Sequence, residues 1–376
     1  MASQFAPLTV HVYEPVTGRH LYRLPYTAAD WTESLNQPGS MNVTVDYTRT
    51  AARLGLFESL RCWKALIALQ RAVNGGFEVV HAGPLTDWEW DAENRSLKLT
   101  VGGGLTLLTK RLVINHALKD SWRDGSMLLD EKHPAGDMDL TLEGSYADIA
   151  RGLTAEAMQW GGLPIGLPAT TGGDRTRTYY AWDLATCADR ILDLTSLEHG
   201  IEIRFDPRIR PDGSLIFDLH AGAELADSTH RWNAVIPGQR VILSSVAGAG
   251  GSMTSQAWLT GGKDGDKTLM CRRTTARLTD QGYLFCQSAD TTHTTVSDLK
   301  TLQAHALGDL AQGAFPAETY KVKVGEEHHV KVGDHADLRV EDDHLGSRLL
   351  RLKITDLSGS ADSDWLTLQA QERNDT

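Results

Sequence analysis

The chain has 376 residues, 41% of them hydrophobic and 23% charged, the balance of a folded protein with more than one core rather than of a disordered one. Lys and Arg number 37 against 49 Asp and Glu, a formal charge of −12, so the chain as a whole is not built to grip nucleic acid by neutralising phosphates. No apolar run of about 18 residues occurs, and Met1–Pro7 lacks the basic-then-apolar order of a secretory leader.

Residues 1–112 read as almost all strand. Leu8, Val10 and Val12 alternate up to a turn at Pro15 and Gly18, and Leu21–Leu24 returns as the second arm of a hairpin. Trp31–Tyr47 reads as a loop that delivers a strand: Asn36, Pro38 and Gly39 are turn residues, and Met41, Val43, Val45 and Tyr47 then alternate with polar neighbours. Thr48–Leu60 is a poorly patterned link. Cys62–Ala72 is a continuous apolar strand closed by the turn Asn74-Gly75-Gly76. Phe77, Val79 and His81 lead to Gly83-Pro84, which breaks that strand. Trp88 and Trp90 share one face of the next strand, and Leu97, Leu99 and Val101 make the last before Gly102–Gly104 and a short helical turn ending near Arg111. Short strands at this spacing predict a barrel or sandwich.

Residues 113–233 change character. Ser145 caps a helix whose inward face is Tyr146, Ile149, Ala150, Leu153, Ala157 and Trp160. A loop follows to about Thr178, then a helix over Asp183–Leu197 with Leu184, Cys187, Ile191 and Leu194 inward. Ile201–Phe205 and Leu215–Leu219 make a hairpin around Pro211-Asp212-Gly213. Residues 234–376 return to strands. Ala234–Ser245 is broken at Pro237-Gly238, and Gly248–Gly251 is a flexible connection. Ala257–Thr260 and Thr268–Arg272 flank a polar tip, and one helix runs from about Val296 to Gln312 with Val296, Leu299, Leu302, Ala306 and Leu310 inward. Tyr320–Val324, Ala336–Val340, Leu349–Ile354 and Trp365–Gln369 are strands. The expected fold class is mixed and β-rich, with two β-barrel domains (1–112 and 234–376) flanking an α+β region (113–233).

No stretch singles out a catalytic, cofactor-binding or metal site. Gly261–Thr268 nearly matches a phosphate loop, but Asp266 stands where the second glycine belongs and no helix follows, so a hairpin tip is expected. Gly102–Gly104 follows a strand without the dinucleotide-binding pattern. His328, His329, His335 and His344 cluster with Asp334, Asp337 and Asp342, but His328 and His329 would point to opposite faces of a strand, which argues against zinc. Cys62 beside Trp63 in an apolar strand reads as packing. The four cysteines, Cys62, Cys187, Cys271 and Cys286, read as free, half-buried thiols, with Cys271 and Cys286 able to face each other across a hairpin. Trp88 and Trp90 suit either a sugar-stacking platform or the barrel core, and the core is favoured.

The order of elements resembles the tail-hub proteins of long-tailed phages, especially minor tail proteins of phages infecting actinobacteria. Four stretches carry the resemblance: Trp31 with Leu35–Ser40 before an alternating strand; Gly83-Pro84 before Trp88–Asp91; Leu97–Val101 running through glycines into Leu107–Arg111; and Gly200–Pro207 with the return Leu215–Gly222. The C-terminal helix followed by Tyr320–Val324 and Gly333-Asp334 looks like the family's second barrel. The resemblance implies a homotrimer whose two barrels per subunit make a pseudo-sixfold ring at the tail tip of the virion, made in the host cytoplasm. It implies the distal tail protein, the tape-measure protein and tip fibres or a spike as partners, and a gated channel for DNA ejection. An acidic channel wall would let DNA pass without binding it, so no specific nucleic-acid contact is expected, nor a membrane span. No enzyme activity or cofactor is implied: the chain ends at Thr376 after its last strand, so a hydrolase would belong to a partner. The alternative is a cell-wall polysaccharide-binding or peptidoglycan-degrading tail protein.

Overall fold

The computed structural model describes residues 6–46, 48, 55, 57–73, 75–120, 139–264, 267–293, 296 and 298–373. The N-terminal strands are β1 (Thr9–Tyr13), β2 (His20–Leu24), β3 (Ala28–Ser34), β4 (Ser40–Asp46), β5 (Leu66–Val73), β6 (Gly76–Asp91) and β7 (Ser96–Gly102). Met41, Val43 and Val45 of β4 are buried as their alternation requires, and Leu97, Leu99 and Val101 of β7 lie against them. Three expectations need correction. Trp31 does not open a loop but stands in β3, which turns through Asn36 (φ 59°) into β4; Tyr47 lies outside the described residues. Gly83-Pro84 does not break the strand. β6 runs 16 residues straight through it, pairing with β5 as far as Pro84 and with β7 from Leu85 onward. The glycine permits this change of partner because a β-carbon at Gly83 would collide with the carbonyl oxygen of Gly102. Cys62 is exposed in a turn before β5, so the buried run starts later than the apolar sequence suggests.

The middle region comprises β8 (Leu140–Gly144), α1 (Tyr146–Gln159), β9 (Ile165–Gly166), β10 (Arg175–Tyr179), α2 (Cys187–Thr195), β11 (Glu202–Ile209) and β12 (Leu215–Gly222). Ser145 caps α1 in a capping box with Asp148, which satisfies two backbone donors at the helix start. Ile149, Ala150, Leu153 and Ala157 are buried, whereas Trp160 forms the C-cap, partly exposed, its Nε1 donating to Ile114 O at 2.8 Å. The second helix is shorter than its periodicity implies. Leu184, expected inward, takes a left-handed conformation (φ 48°) and is exposed, and Thr186 caps the helix two residues later. The stretch expected as loop to Thr178 holds β9, parallel to β12, and β10, antiparallel to β8. The β11–β12 hairpin turns at Gly213 (φ 83°) as expected.

The C-terminal part comprises β13 (Thr229–Asn233), β14 (Val241–Ala249), β15 (Gln256–Asp264), β16 (Lys267–Thr274), α3 (Arg277–Asp280), β17 (Gln287–Asp290), α4 (Leu299–Gln312), β18 (Ala317–Gly325), β19 (His335–Asp342), β20 (Gly346–Ser360) and β21 (Trp365–Glu372). β15, β16 and β17 form a small sheet covered by α4, with Leu259, Cys271, Leu302 and Ala306 at its centre. Leu299 is exposed rather than inward because it directly follows the cap Asp298. Gly248 belongs to β14 rather than to a free connection. Among the described residues no helix is long and apolar enough to cross a membrane.

Both end units join one sheet, in the order β14-β18-β21-β20-β3-β4-β7-β6-β5-β1-β2. The join is β3 against β20, from Asp356↔Ser34 to Ser360↔Asp30. One hydrophobic cluster holds Val10, Trp31 and Val43 together with Tyr320, Leu352 and Leu368. On either side of the join, four antiparallel strands repeat one topology. Taken in chain order, β3, β4, β6 and β7 are ranged first, second, fourth, third, and so are β14, β18, β20 and β21. In both sets the third strand is long, 16 and 15 residues, and pairs first with the strand before it. Both carry a bulge where they meet the fourth strand, at Leu85-Thr86-Asp87 and Ile354-Thr355-Asp356.

Candidate functional site: a polar sheet face and the junction behind it

The strands that face the shared core with alternate residues present the others on the opposite side. Those are Lys321 and Lys323 on β18, Thr367 and Gln369 on β21, and Ser358 and Ser360 on β20. They continue as Asp30 and Thr32 on β3, Asn42 and Thr44 on β4, Lys98 and Thr100 on β7, and Asp87 and Glu89 on β6. The polar face thus runs unbroken across the β3–β20 join. There it is hollowed into a groove of about 610 Å³, between Asp30, Thr32 and Asn42 on one side and Ile242, Lys323 and Thr367 on the other. Carboxylates and ammonium groups alternate on this face, with Lys98 3.9 Å from Glu89. Such a surface offers hydrogen bonds and weak, screened charge to whatever lies against it.

Behind the sheet, the three parts of the chain meet around a cavity of about 350 Å³. Arg71, from the middle of the apolar β5, is buried and bonds Glu78 at 2.6 Å and Glu326 at 2.5 Å. Burial alone would lower its affinity for a proton, but the hydrogen bonds it donates to Glu78 and Glu326, with their negative charge, outweigh burial and raise its pKa. Arg204 of β11, also buried, bonds Asp206 at 2.6 Å and Asp227 at 2.9 Å and donates to Val332 O at 2.7 Å. Lys331 reaches the same two carboxylates, each at 3.1 Å. These pairs fasten the middle region to the C-terminal strands, and Arg71 fastens the N-terminal strands to them. The Trp31 indole also borders the cavity, and its buried Nε1 has no hydrogen-bond partner.

Asp334, one member of the histidine–aspartate cluster, is a structural staple rather than a ligand. It accepts from the backbone of Asp227, Ser228 and Lys331 and pairs with His230 at 3.0 Å. His328 ends a single helical turn and His329 follows it in a left-handed conformation (φ 48°), so neither lies in a strand as expected. His328 bonds Gln239 O and His335 bonds Glu224. Among the described residues no three metal-binding side chains converge. The phosphate-loop look-alike is the β15–β16 hairpin, with Lys263 opposite Thr268; residues 265 and 266 at its tip lie outside the described residues. Cys271 and Cys286 are both free thiols. Trp88 and Trp90 overturn the expectation of core burial: they are 44% and 40% exposed. Sequence reasoning missed Arg71, although a charged residue inside a buried apolar strand is itself the signal of a buried partner.

No protein-family model matches the sequence, and a comparison with curated protein sequences found no match. Solved structures of phage tail proteins do match in fold. The 43 kDa tail protein of prophage MuSo2 from Shewanella oneidensis is 10% identical, with a TM-score of 0.51, over 97% of this chain and 98% of that one. The tail protein from Neisseria meningitidis is 14% identical, TM-score 0.48, over 97% and 96%. Prophage tail protein gp18 from Listeria monocytogenes is 10% identical, TM-score 0.49, over 98% and 95%. The first of these establishes the shared fold, and it spans nearly the whole of both chains.

Proposed function

We propose that the chain is a structural hub subunit of a phage tail tip, in which three copies form a pseudo-sixfold ring around a channel. The observation that carries the reading is the doubled four-strand topology, joined edge to edge with one continuous polar face. Two equivalent units per chain turn a threefold ring into a sixfold wall. Residues 1–112 and 234–376 then supply the ring and 113–233 an appendage on it. The shared fold with a prophage tail protein supports the same role. The polar face would line the channel, where charges of both signs, on a chain that is net acidic as a whole, let DNA pass without adhering. The distal tail protein and tape-measure protein would meet the ring on one side and tip fibres or a spike on the other. The reading assigns no catalysis to the chain. Solution mass followed by electron microscopy tests it: rings of three copies with a central hole are expected, and a chain that remains monomeric at every concentration contradicts it.

The exposed pair Trp88 and Trp90 favours a second reading, a site for cell-wall sugars. Soluble wall polysaccharide that shields both tryptophans from a solvent quencher would support it; quenching unchanged by sugar would remove it.

A further inference from the structure

Trp88 and Trp90 lie on the core side of the sheet although both are exposed. They pair directly with Leu99 and Leu97, which are buried, and directly paired side chains share a face. Both tryptophans therefore point toward the core side, yet remain exposed there. The Arg61 guanidinium approaches the Trp88 ring to 5.7 Å, yet the residue remains 44% exposed.

The repeat shows what belongs there. Through their rungs with β21 and β7, Asp356, Leu357, Ser358 and Gly359 of β20 correspond to Asp87, Trp88, Glu89 and Trp90 of β6. That part of β20 is covered on its far edge by β3, the first strand of the other set. Among the described residues, no strand is ranged beside Thr86–Asp91 on the side away from β7. At the opposite end of the eight-strand array, β14, the first strand of its own set, pairs among the described residues with β18 alone. The chain thus carries one completed joint and the two halves of a second.

We infer that a second copy of this chain completes the joint, laying its β14 antiparallel against Thr86–Asp91 of the first copy. This rests on the ring reading above and specifies its contact. β14 aligns with β3 through their rungs with β18 and β4, so Val246 stands for Trp31 and Gly248 for Glu33. Transferring the β3–β20 register places Trp88 opposite Gly248 of the second copy and Trp90 opposite Val246. The sizes fit. A β-carbon on Gly248 would meet nothing within 4 Å, so the bulky indole faces an open strand. On the polar side, Asp87, Glu89 and Asp91 of one copy would approach the exposed Lys321 and Lys323, which lie one strand beyond β14. The contact is head to tail, so repeating it closes a ring rather than a two-fold dimer. It also hides two unprotected sheet edges, which otherwise invite uncontrolled association.

The test combines the full chain carrying Trp88→Cys with the full chain carrying Gly248→Cys, both with Cys62→Ser and Cys286→Ser to silence the accessible thiols. Directly opposed strand residues lie within disulfide reach. Oxidation should link the two chains, and Trp88→Cys with Ala247→Cys, whose side chain takes the other face, should not link. Because losing Trp88 itself weakens the joint, hydrogen exchange on the unaltered chain supplies the second measurement. Assembly should slow exchange in both 86–91 and 241–249 by about tenfold or more. Rings that form without the link and without that protection would overturn the joint and leave the ring. Equal linking in the offset pair would also overturn it. A chain that never assembles would overturn both.

Discussion

The indole of Trp31 lies across Gly359, its direct partner in the β3–β20 join, so closely that a β-carbon on the glycine would overlap Cζ2 of the ring. A large side chain and an absent one are matched at the seam between the two end units. Gly359→Ala should lower the denaturation midpoint, with an overpacking cost of about 1–3 kcal/mol. Trp31→Phe shortens the ring at the point of overlap. The double variant should therefore lose less than the sum of the two single changes, a non-additivity that chemical denaturation of all four chains would measure.

That seam was half legible. The alternation Met41, Val43, Val45 gives β4 and its face directly, and Ser145 gives the start of α1. The indole of Trp31 carries no such signal, because the turn residues Asn36–Gly39 draw attention to a loop, and the partner strand lies more than 300 residues away. Gly83-Pro84 reads as a break because proline cannot donate in a sheet. The fold uses that same deficit where a strand changes partners. Leu184 and Leu299 fit a helical period yet are exposed, since each stands where a cap, not the period, sets the helix start. The doubled topology is nearly silent in sequence: the clearest echo is Leu85-Thr86-Asp87 against Ile354-Thr355-Asp356, at the two bulges.

Arg71 holds two carboxylates in a buried setting, and Glu326 is only 6% exposed. Arg71→Met would leave Glu326 a buried charge without this partner, at a cost of about 3–5 kcal/mol. Adding Glu326→Leu should recover much of the loss, since a well-packed apolar pair often replaces a buried ion pair without penalty. Urea midpoints of the single and double variants decide it. If the single change costs nothing, the pair does not hold the N-terminal strands to the C-terminal ones.

His305 of α4 predicts acid sensitivity at the contact between that helix and the end of α2. Burial, with His293 next and then Arg177, holds its pKa down to about 4. His293 stacks on it at 4.1 Å and bonds Asp290 at 3.2 Å; Ser196 faces it at 3.4 Å, and Asp290, Asp309 and Arg190 complete the charged surroundings. The unfolded histidine takes its proton near pH 6.5 and the folded one near 4, so between them the unfolded state binds the extra proton. Its stabilising effect is complete above about pH 6.5 and fades as the pH falls toward 4, by roughly 2 kcal/mol at pH 5. Asp309, whose pKa burial and Asp290 raise, acts in the opposite sense, so the comparison is between chains differing only at position 305. His305→Gln should flatten the fall in midpoint between pH 7.5 and pH 5. An unchanged fall would show that other groups carry the acid sensitivity.

The cysteines separate by exposure rather than by sequence setting. Cys62 is exposed in the turn before β5, between Arg61 and Trp63, and a thiol there is open to solvent reagents. Cys187 is fully buried at the start of α2, and its thiol is pushed up to about 12 by burial first and then by Glu156, against the pull of Arg111. A helix N-terminus ordinarily favours a thiolate, so burial has overridden the helix dipole at this position. Under native conditions an aromatic disulfide reagent should label Cys62 quickly and the partly exposed Cys286 more slowly, while Cys187 and the buried Cys271 react only on unfolding. Mass spectrometry of the labelled peptides reads the order directly. Early labelling of Cys187 would mean that the packing of α2 against α1 opens readily, and that the middle region is far less stable than the shared core of the two end units.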